Sequence, residues 1–185
     1  LSHYAILQTL NATLLASKSA TQTLQKWCDD HHLASPAKIR AVRDAHIFKA
    51  ASDEIRHILK VSNDEKVGYR SVQLFCGEYV LSEADNWYVP SRLTDEMNDL
   101  LNNSETPFGL AVQSLNFHRR TDEVLLLWQP VNTNWDQKTI SFDSHIKPLD
   151  IPDQVLQHQA VLMTDQNVPF SIVIETYTKN IFLFK

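Results

Sequence analysis

Residues 69–90, YRSVQLFCGEYVLSEADNWYVP, decide the fold. They read as two strands joined by a tight turn at Cys76-Gly77-Glu78, because glycine supplies the positive φ that such a turn often needs. Alternation in the first strand places Arg70, Val72, Leu74 and Cys76 on one face, with Tyr69, Ser71, Gln73 and Phe75 on the other. Arg70 therefore shares a face with apolar side chains, where a guanidinium must reach an anion or snorkel out at the strand's end. The second strand carries Glu83-Ala84-Asp85-Asn86-Trp87-Tyr88, with small Ser82 and Ala84 aligned beside Asn86. Small residues beside a polar one leave room for something other than core, which points to a pocket.

Upstream of this hairpin the pattern is helical. Ile6, Leu10 and Leu14 recur at helical spacing, with Leu7 and Leu15 beside them. Ser19-Ala20-Thr21-Gln22 reads as a capping box, in which the Ser hydroxyl accepts from the first turn and the Gln reaches back. The helix behind it carries Leu24, Trp27, Cys28 and His31 and should end before Ser35-Pro36. Ala37–Ala45 fits a short helix or a strand. Ser52 caps an amphipathic turn through Ile55, Ile58 and Leu59.

Downstream, Thr94 is an N-cap with Asp95 and Glu96 placed for the helix dipole, and Met97, Leu100 and Leu101 form the expected buried stripe. Thr106-Pro107-Phe108-Gly109 is a turn leading to an apolar segment through Val112. Phe117–Gln129 reads as a strand, with Val124–Trp128 as a buried run. Pro130–Pro152 is polar and aperiodic, an expected surface excursion and the segment expected to be most mobile. Leu156–Thr164 and Pro169–Thr178 are strands around an Asp165-Gln166-Asn167 turn. Helices first and hairpins later mean an α+β domain with an antiparallel sheet, taken as one domain over 1–185.

Composition narrows the function. A net charge of −5 argues against a nucleic-acid binder working through a general basic surface. With 3 glycines the chain has no Gly-rich phosphate loop. No apolar run is long enough to span a membrane. The chain starts at Leu1 rather than Met, so something upstream was removed, and a cleaved signal peptide is one source of that. The 2 cysteines, Cys28 and Cys76, are too few for a disulfide framework or a thiolate zinc site, and are expected to be unpaired buried thiols.

Candidate chemistry then comes down to two side chains. None of the 8 histidines forms an i, i+4 pair with a nearby acid, so no metal is expected. There is no G-x-S-x-G, and Cys76 shows neither a base nor an electropositive setting. Arg70 and Glu175 remain. Glu175 alternates onto a face with Val173 and Tyr177, which puts it either at a solvent-facing edge or in a pocket with a raised pKa. The competing structural role is an Arg70–Glu175 ion pair bracing the sheet.

Tyr69-Arg70, Tyr88-Val89-Pro90, Thr106-Pro107-Phe108-Gly109 and Pro169 through Glu175 occur in an order and spacing that resemble the chorismate lyase family, the chorismate pyruvate-lyases of bacterial ubiquinone synthesis. Ser19-Ala20-Thr21 is a weaker match. The resemblance implies a six-stranded antiparallel sheet with two helical flaps over a buried ligand, and so makes Ala37–Ala45 a strand. It further implies that Arg70 holds the carboxylate of 4-hydroxybenzoate and Glu175 takes its hydroxyl. Phe108 and Gly109 would help at the hydroxyl end, and Ala20 near the carboxylate. Asn86 would join the substrate-binding set. No cofactor is implied, the partner is a small aromatic carboxylate, and the chain acts as a monomer. The family works in the cytoplasm, while a missing leader leaves an exported, periplasmic location open. Two departures define a distinct subgroup. Asn86-Trp87 stands where the enzymes usually carry Arg-Thr, and Pro130–Pro152 is an insertion.

Two functions follow. One is elimination of pyruvate from chorismate, in which the gain of an aromatic ring drives the reaction and the protein neutralises, orients and excludes water. The other is a binding module for a small aromatic or carboxylated ligand on the same fold. A purely structural or partner-binding role is a third and weaker reading. The chain has no room for a helix-turn-helix domain beside it.

Overall fold

The computed structural model of the chain describes residues 2–130 and 150–184. Most of the Pro130–Pro152 insertion therefore lies outside the described residues. Six strands build one antiparallel sheet: β1 (Ile39–Asp44), β2 (Gly68–Cys76), β3 (Tyr79–Tyr88), β4 (His118–Leu126), β5 (Gln154–Met163) and β6 (Pro169–Thr178), in the order β1-β2-β3-β6-β5-β4. The helices are α1 (Ser2–Ala16), α2 (Ala20–Asp30), α3 (Asp53–Leu59), α4 (Asp95–Asn103) and the single turn α5 (Phe108–Ala111). The expected α+β class, with a six-stranded antiparallel sheet, is what the chain adopts.

Local chemistry accounts for the boundaries. Gly77 turns the β2–β3 hairpin at a φ of +59°, and a Cβ there would stand 2.7 Å from the Ala34 methyl carbon, so both conformation and space call for glycine. Three hydroxyls start three helices. Ser19 accepts from the Gln22 N–H at 3.3 Å, Ser52 from Ile55 at 3.2 Å and Thr94 from Met97 at 3.2 Å.

Register carries the alternation of one strand across the sheet. Arg70 stands opposite Asn86, which stands opposite Val173; Val72 stands opposite Ala84, then Glu175, then His158. All of these share one face. Two helical layers cover that face. Leu7, Leu10, Leu14, Leu24 and Trp27 of α1 and α2 pack on Leu74 and Tyr177. Met97, Leu101, Ala111 and Val112 pack on Tyr88, Leu162 and Phe170. Each fully buried leucine contributes roughly 1.5–3 kcal/mol of transfer free energy. On the opposite face Leu59 of α3 packs on Tyr69, Trp87 and Ile172.

Three sequence expectations fail here. Leu100 is exposed, because α4 buries only the Met97 and Leu101 side. Val124, Leu125 and Leu127 are exposed as well, since β4 is the sheet's outer strand, and Trp128 is the buried member of that run. Cys28 and Cys76 are not free thiols. They form a disulfide with a Cα–Cα distance of 6.0 Å, joining α2 to the end of β2 from positions with no solvent exposure. No helix among the described residues is long and apolar enough to cross a membrane.

Candidate functional site

Between the two helical layers, the shared sheet face is left uncovered along a strip, and a cavity of about 70 Å³ lies there. Its floor is Arg70, Val72 and Ala84 from β2 and β3, with Asn86, Val173 and Glu175 beyond. Its rim is the start of α2, with Ser19 and Ala20, and the start of α5, with Pro107, Phe108 and Gly109. The two rims come close: a Cβ built on Gly109 would lie 3.6 Å from Ser19 Oγ. Arg70, Glu175, Ala20, Asn86, Phe108 and Gly109 thus all border one cavity. Ala84 leaves the space that the small residues of the hairpin suggested.

Among the described residues Arg70 is the largest wholly buried side chain, 1% exposed. Both of its terminal nitrogens donate to the Thr106 carbonyl at 3.2 Å, and Nε has no partner. Among the described residues no carboxylate pairs with it. Burial, followed by the nearby Arg43 charge, pulls its pKa down to about 10. A guanidinium in this setting is an unneutralised buried cation.

Glu175 is arranged in the opposite way. Arg119 grips it with two parallel hydrogen bonds, Nη1 to Oε1 at 3.1 Å and Nη2 to Oε2 at 2.6 Å, and the Tyr177 hydroxyl donates to Oε2 at 2.9 Å. The competing arrangement, an Arg70–Glu175 brace, is not formed. Burial works to raise the Glu175 carboxyl, but the Arg119 charge and the three hydrogen bonds outweigh it, so the pKa falls rather than rising as expected. Tyr177 is pushed well up, first by burial and then by the carboxylate.

Two more polar groups stand on the same sheet face, Asn86 at the cavity and His158 beside Glu175. Asn86 Oδ1 accepts from the Ser171 hydroxyl at 2.9 Å. His158, opposite Glu175 on β5, has no exposed surface and lies 2.7 Å from Asn11 Oδ1 through Nε2. Burial brings the His158 pKa down to about 4, which keeps the ring neutral, and the Asn11 oxygen favours the proton on Nε2. Arg119 is the residue that sequence reasoning passed over. Its early place in a strand was visible, but its two-strand reach to Glu175 needed the order β6-β5-β4. Among the described residues, no group of three or more His, Cys, Asp or Glu could hold a metal ion.

No protein-family model matches the chain. The uncharacterized protein y4mC of Sinorhizobium fredii (strain NBRC 101917 / NGR234) is 48% identical over 181 residues, covering 97% of this chain and 76% of that protein. The chain belongs to the y4mC family. Solved structures extend the likeness at the level of fold. The effector domain of PhnF from Mycobacterium smegmatis superposes with a TM-score of 0.55 at 11% identity, covering 88% of this chain and 90% of that domain. The PhnF structure from the same organism gives 0.54 at 11% identity, over 89% of this chain and 65% of that one. The possible transcriptional regulator YydK of Bacillus subtilis subsp. subtilis str. 168 gives 0.49 at 12% identity, and the chain spans 62% of its length. The y4mC-family domain thus has the chorismate lyase-like fold that such effector domains share.

Proposed function

We propose that the chain is a ligand-binding domain for a small carboxylic acid of the 4-hydroxybenzoate class, anchored by Arg70. The observation that carries this reading is the Arg70 guanidinium, 1% exposed, bonded only to a carbonyl and facing a cavity. An unpaired buried charge is costly, and a bound carboxylate removes that cost. Asn86 offers its amide N–H beside the anchor. The first turn of α2 at Ala20 adds a helix N-terminus, which favours an anion. Phe108 and Gly109 supply an apolar wall.

At about 70 Å³ the cavity is smaller than the roughly 150 Å³ apolar cavity that takes up benzene. An aromatic acid therefore enters by parting the rims at Ser19 and Gly109. Residues 1–185 act as one such domain, as a monomer, with neither nucleic acid nor an organic cofactor taking part. A fully buried disulfide suits an oxidising compartment, which favours the exported location over the cytoplasmic one.

Calorimetric titration of the purified chain with benzoate, 4-hydroxybenzoate and uncharged phenol tests the reading. The acids should bind and phenol should not. Absence of binding by every acid would reduce Arg70 to a packing residue. Pyruvate elimination from chorismate is the second reading, favoured by the same enclosed cation. It ranks below binding because Arg119 and Tyr177 already occupy Glu175, leaving no carboxyl poised for proton transfer. Release of pyruvate from chorismate by the wild-type chain would reverse that ranking.

A further inference from the structure

Resting on the reading of Arg70 as a carboxylate anchor, we infer that a second pocket, outside the gap between α2 and α5, is the antechamber of the cavity. Lys18 at this mouth draws the anionic ligand in.

The outer pocket holds about 150 Å³. Lys18, Ser19, Gly109 and Phe117 line both it and the inner cavity, so these four residues form the partition between the two spaces. The partition is thin at its middle. Gly109 presents no side chain to it, and an added Cβ would only reach van der Waals distance, 3.6 Å, from Ser19 Oγ. It is also the side of the cavity that opens most easily. The floor is hydrogen-bonded sheet, in which β2 pairs with β3 and β3 with β6. Among the described residues no backbone hydrogen bond joins the start of α2 to the start of α5. Widening the gap therefore breaks side-chain contacts and leaves both helices and the sheet intact.

The charge at the mouth fits an acid. The chain carries a net charge of −5, so the molecule as a whole repels an anion, and a local cation is what offsets this at the point of entry. Lys18 is the one charged residue lining the outer pocket, beside the amides of Gln22, Gln113 and Asn116. It is exposed, and among the described residues it forms no salt bridge. Its ammonium is therefore available to an arriving carboxylate, with no acid of the pocket to compete for it. Beyond the partition the next unneutralised cation is Arg70. A carboxylate moving inward passes from an exposed positive charge to a buried one, and Lys18 acts on the encounter while Arg70 holds the bound state.

The test follows 4-fluorobenzoate by fluorine NMR line shapes, which give association and dissociation rates together. Measurements at about 20 mM and about 200 mM salt compare weak with strong screening. In the wild type, association should slow as salt is added. Lys18→Gln should lower the low-salt association rate by about threefold and Lys18→Glu by about tenfold, with dissociation changed much less. In Lys18→Glu added salt should speed association, because salt then screens a repulsion. Lys66→Glu makes the same change of net charge in the loop between α3 and β2, whose flanking Val61 and Val67 pack on the other sheet face. It should change association by less than about twofold at the higher salt. Gly109→Ala, which puts one methyl group into the gap, should slow both rates. Unchanged rates in Gly109→Ala, or an association rate in Lys18→Glu equal to that of the wild type or of Lys66→Glu, overturn this inference alone. Failure of 4-fluorobenzoate to bind the wild type overturns the Arg70 anchor and this inference with it.

Discussion

Arg70 and Glu175 border one cavity on one sheet face and do not pair: Glu175 is held by Arg119 at 2.6 Å, while among the described residues Arg70 has only the Thr106 carbonyl. That asymmetry separates a ligand anchor from a brace. A brace loses stability when either partner is removed. An unpaired buried cation instead destabilises the ligand-free fold and earns its place only when an anion arrives.

Arg70→Met should therefore raise the melting temperature of the ligand-free chain, since replacing a buried charge with an apolar side chain of similar volume is neutral or stabilising by about 1–4 kcal/mol. The same variant should lose about 2–5 kcal/mol of carboxylate affinity, roughly 30-fold to several thousandfold. Thermal melts and calorimetric titration read the two effects independently. A lower melting temperature in the ligand-free variant would place Arg70 in a structural network.

Arg119→Ala or Glu175→Ala should each cost about 3–5 kcal/mol, because each leaves a buried charge alone. Removing both charges together should cost much less than the sum, so the double-mutant cycle should show strong coupling. Urea unfolding of the four proteins measures it. Additive losses would mean that the pair seen here does not hold the sheet.

How much of this was legible beforehand follows from range along the chain. The hairpin turn at Gly77 and the caps at Ser19, Ser52 and Thr94 depend on residues a few positions apart, and they were readable. Alternation alone put Arg70 on a face with Val72 and Leu74. Glu175 shares that face only through the pairing of β2 with β3 and of β3 with β6. The Arg119–Glu175 contact joins residues 56 positions apart, and the disulfide closes 48. Nothing local encodes either distance. The apolar run at Val124–Leu127 misled for a related reason: whether a strand is an edge is a property of the sheet, not of the strand.

Reduction of Cys28–Cys76 should cost about 4 kcal/mol on the chain-entropy scale for a loop of this length. The 48-residue separation sets that figure, and the bond also fastens α2, which carries the Ser19–Thr21 rim, to the strand that carries Arg70. Melting with and without a thiol reductant, alongside Cys76→Ala, gives the measurement. Two titratable thiols in the native protein as isolated, with no change in melting on reduction, would contradict the bridge.

Acid should destabilise the chain in two stages with different causes. Burial holds His158 neutral, with its pKa brought from 6.5 to about 4, so the unfolded chain binds the extra proton between those values. Stability therefore rises with pH across that window and is complete above about 6.5, an effect on the order of 3 kcal/mol for a full proton. Glu175 has a folded pKa below its ordinary 4.5, so its contribution is present above that value and is lost as the pH falls further. His158→Gln should flatten the upper stage and leave the lower one, while Glu175→Gln should do the reverse. Chemical unfolding from pH 3.5 to 7.5 separates them, and an unchanged upper slope in His158→Gln would reassign that stage to another group.

Gly68→Ala tests the packing that closes the site. Gly68 stands opposite Tyr88, and a Cβ there would lie 2.5 Å from Tyr88 Cζ, closer than any real contact. The ring would have to move, and it is hemmed in. Tyr88 is 4% exposed, packs at 5.6 Å from Phe108 and belongs to the cluster with Met97, Leu101 and Phe170. Phe108 opens α5 and walls the cavity, so displacement of Tyr88 carries over to that rim of the cavity. Overpacking of this kind costs about 1–3 kcal/mol of stability. The substitution should also weaken acid binding even though residue 68 does not line the cavity. Adding Tyr88→Phe should not rescue either effect, since the clash is with Cζ, Cε1 and Cε2, ring carbons that Phe keeps, whereas Tyr88→Leu should restore much of the stability by freeing the space. Normal stability and affinity in Gly68→Ala would mean that the ring has room to swing, and that α5 is held by something other than Tyr88.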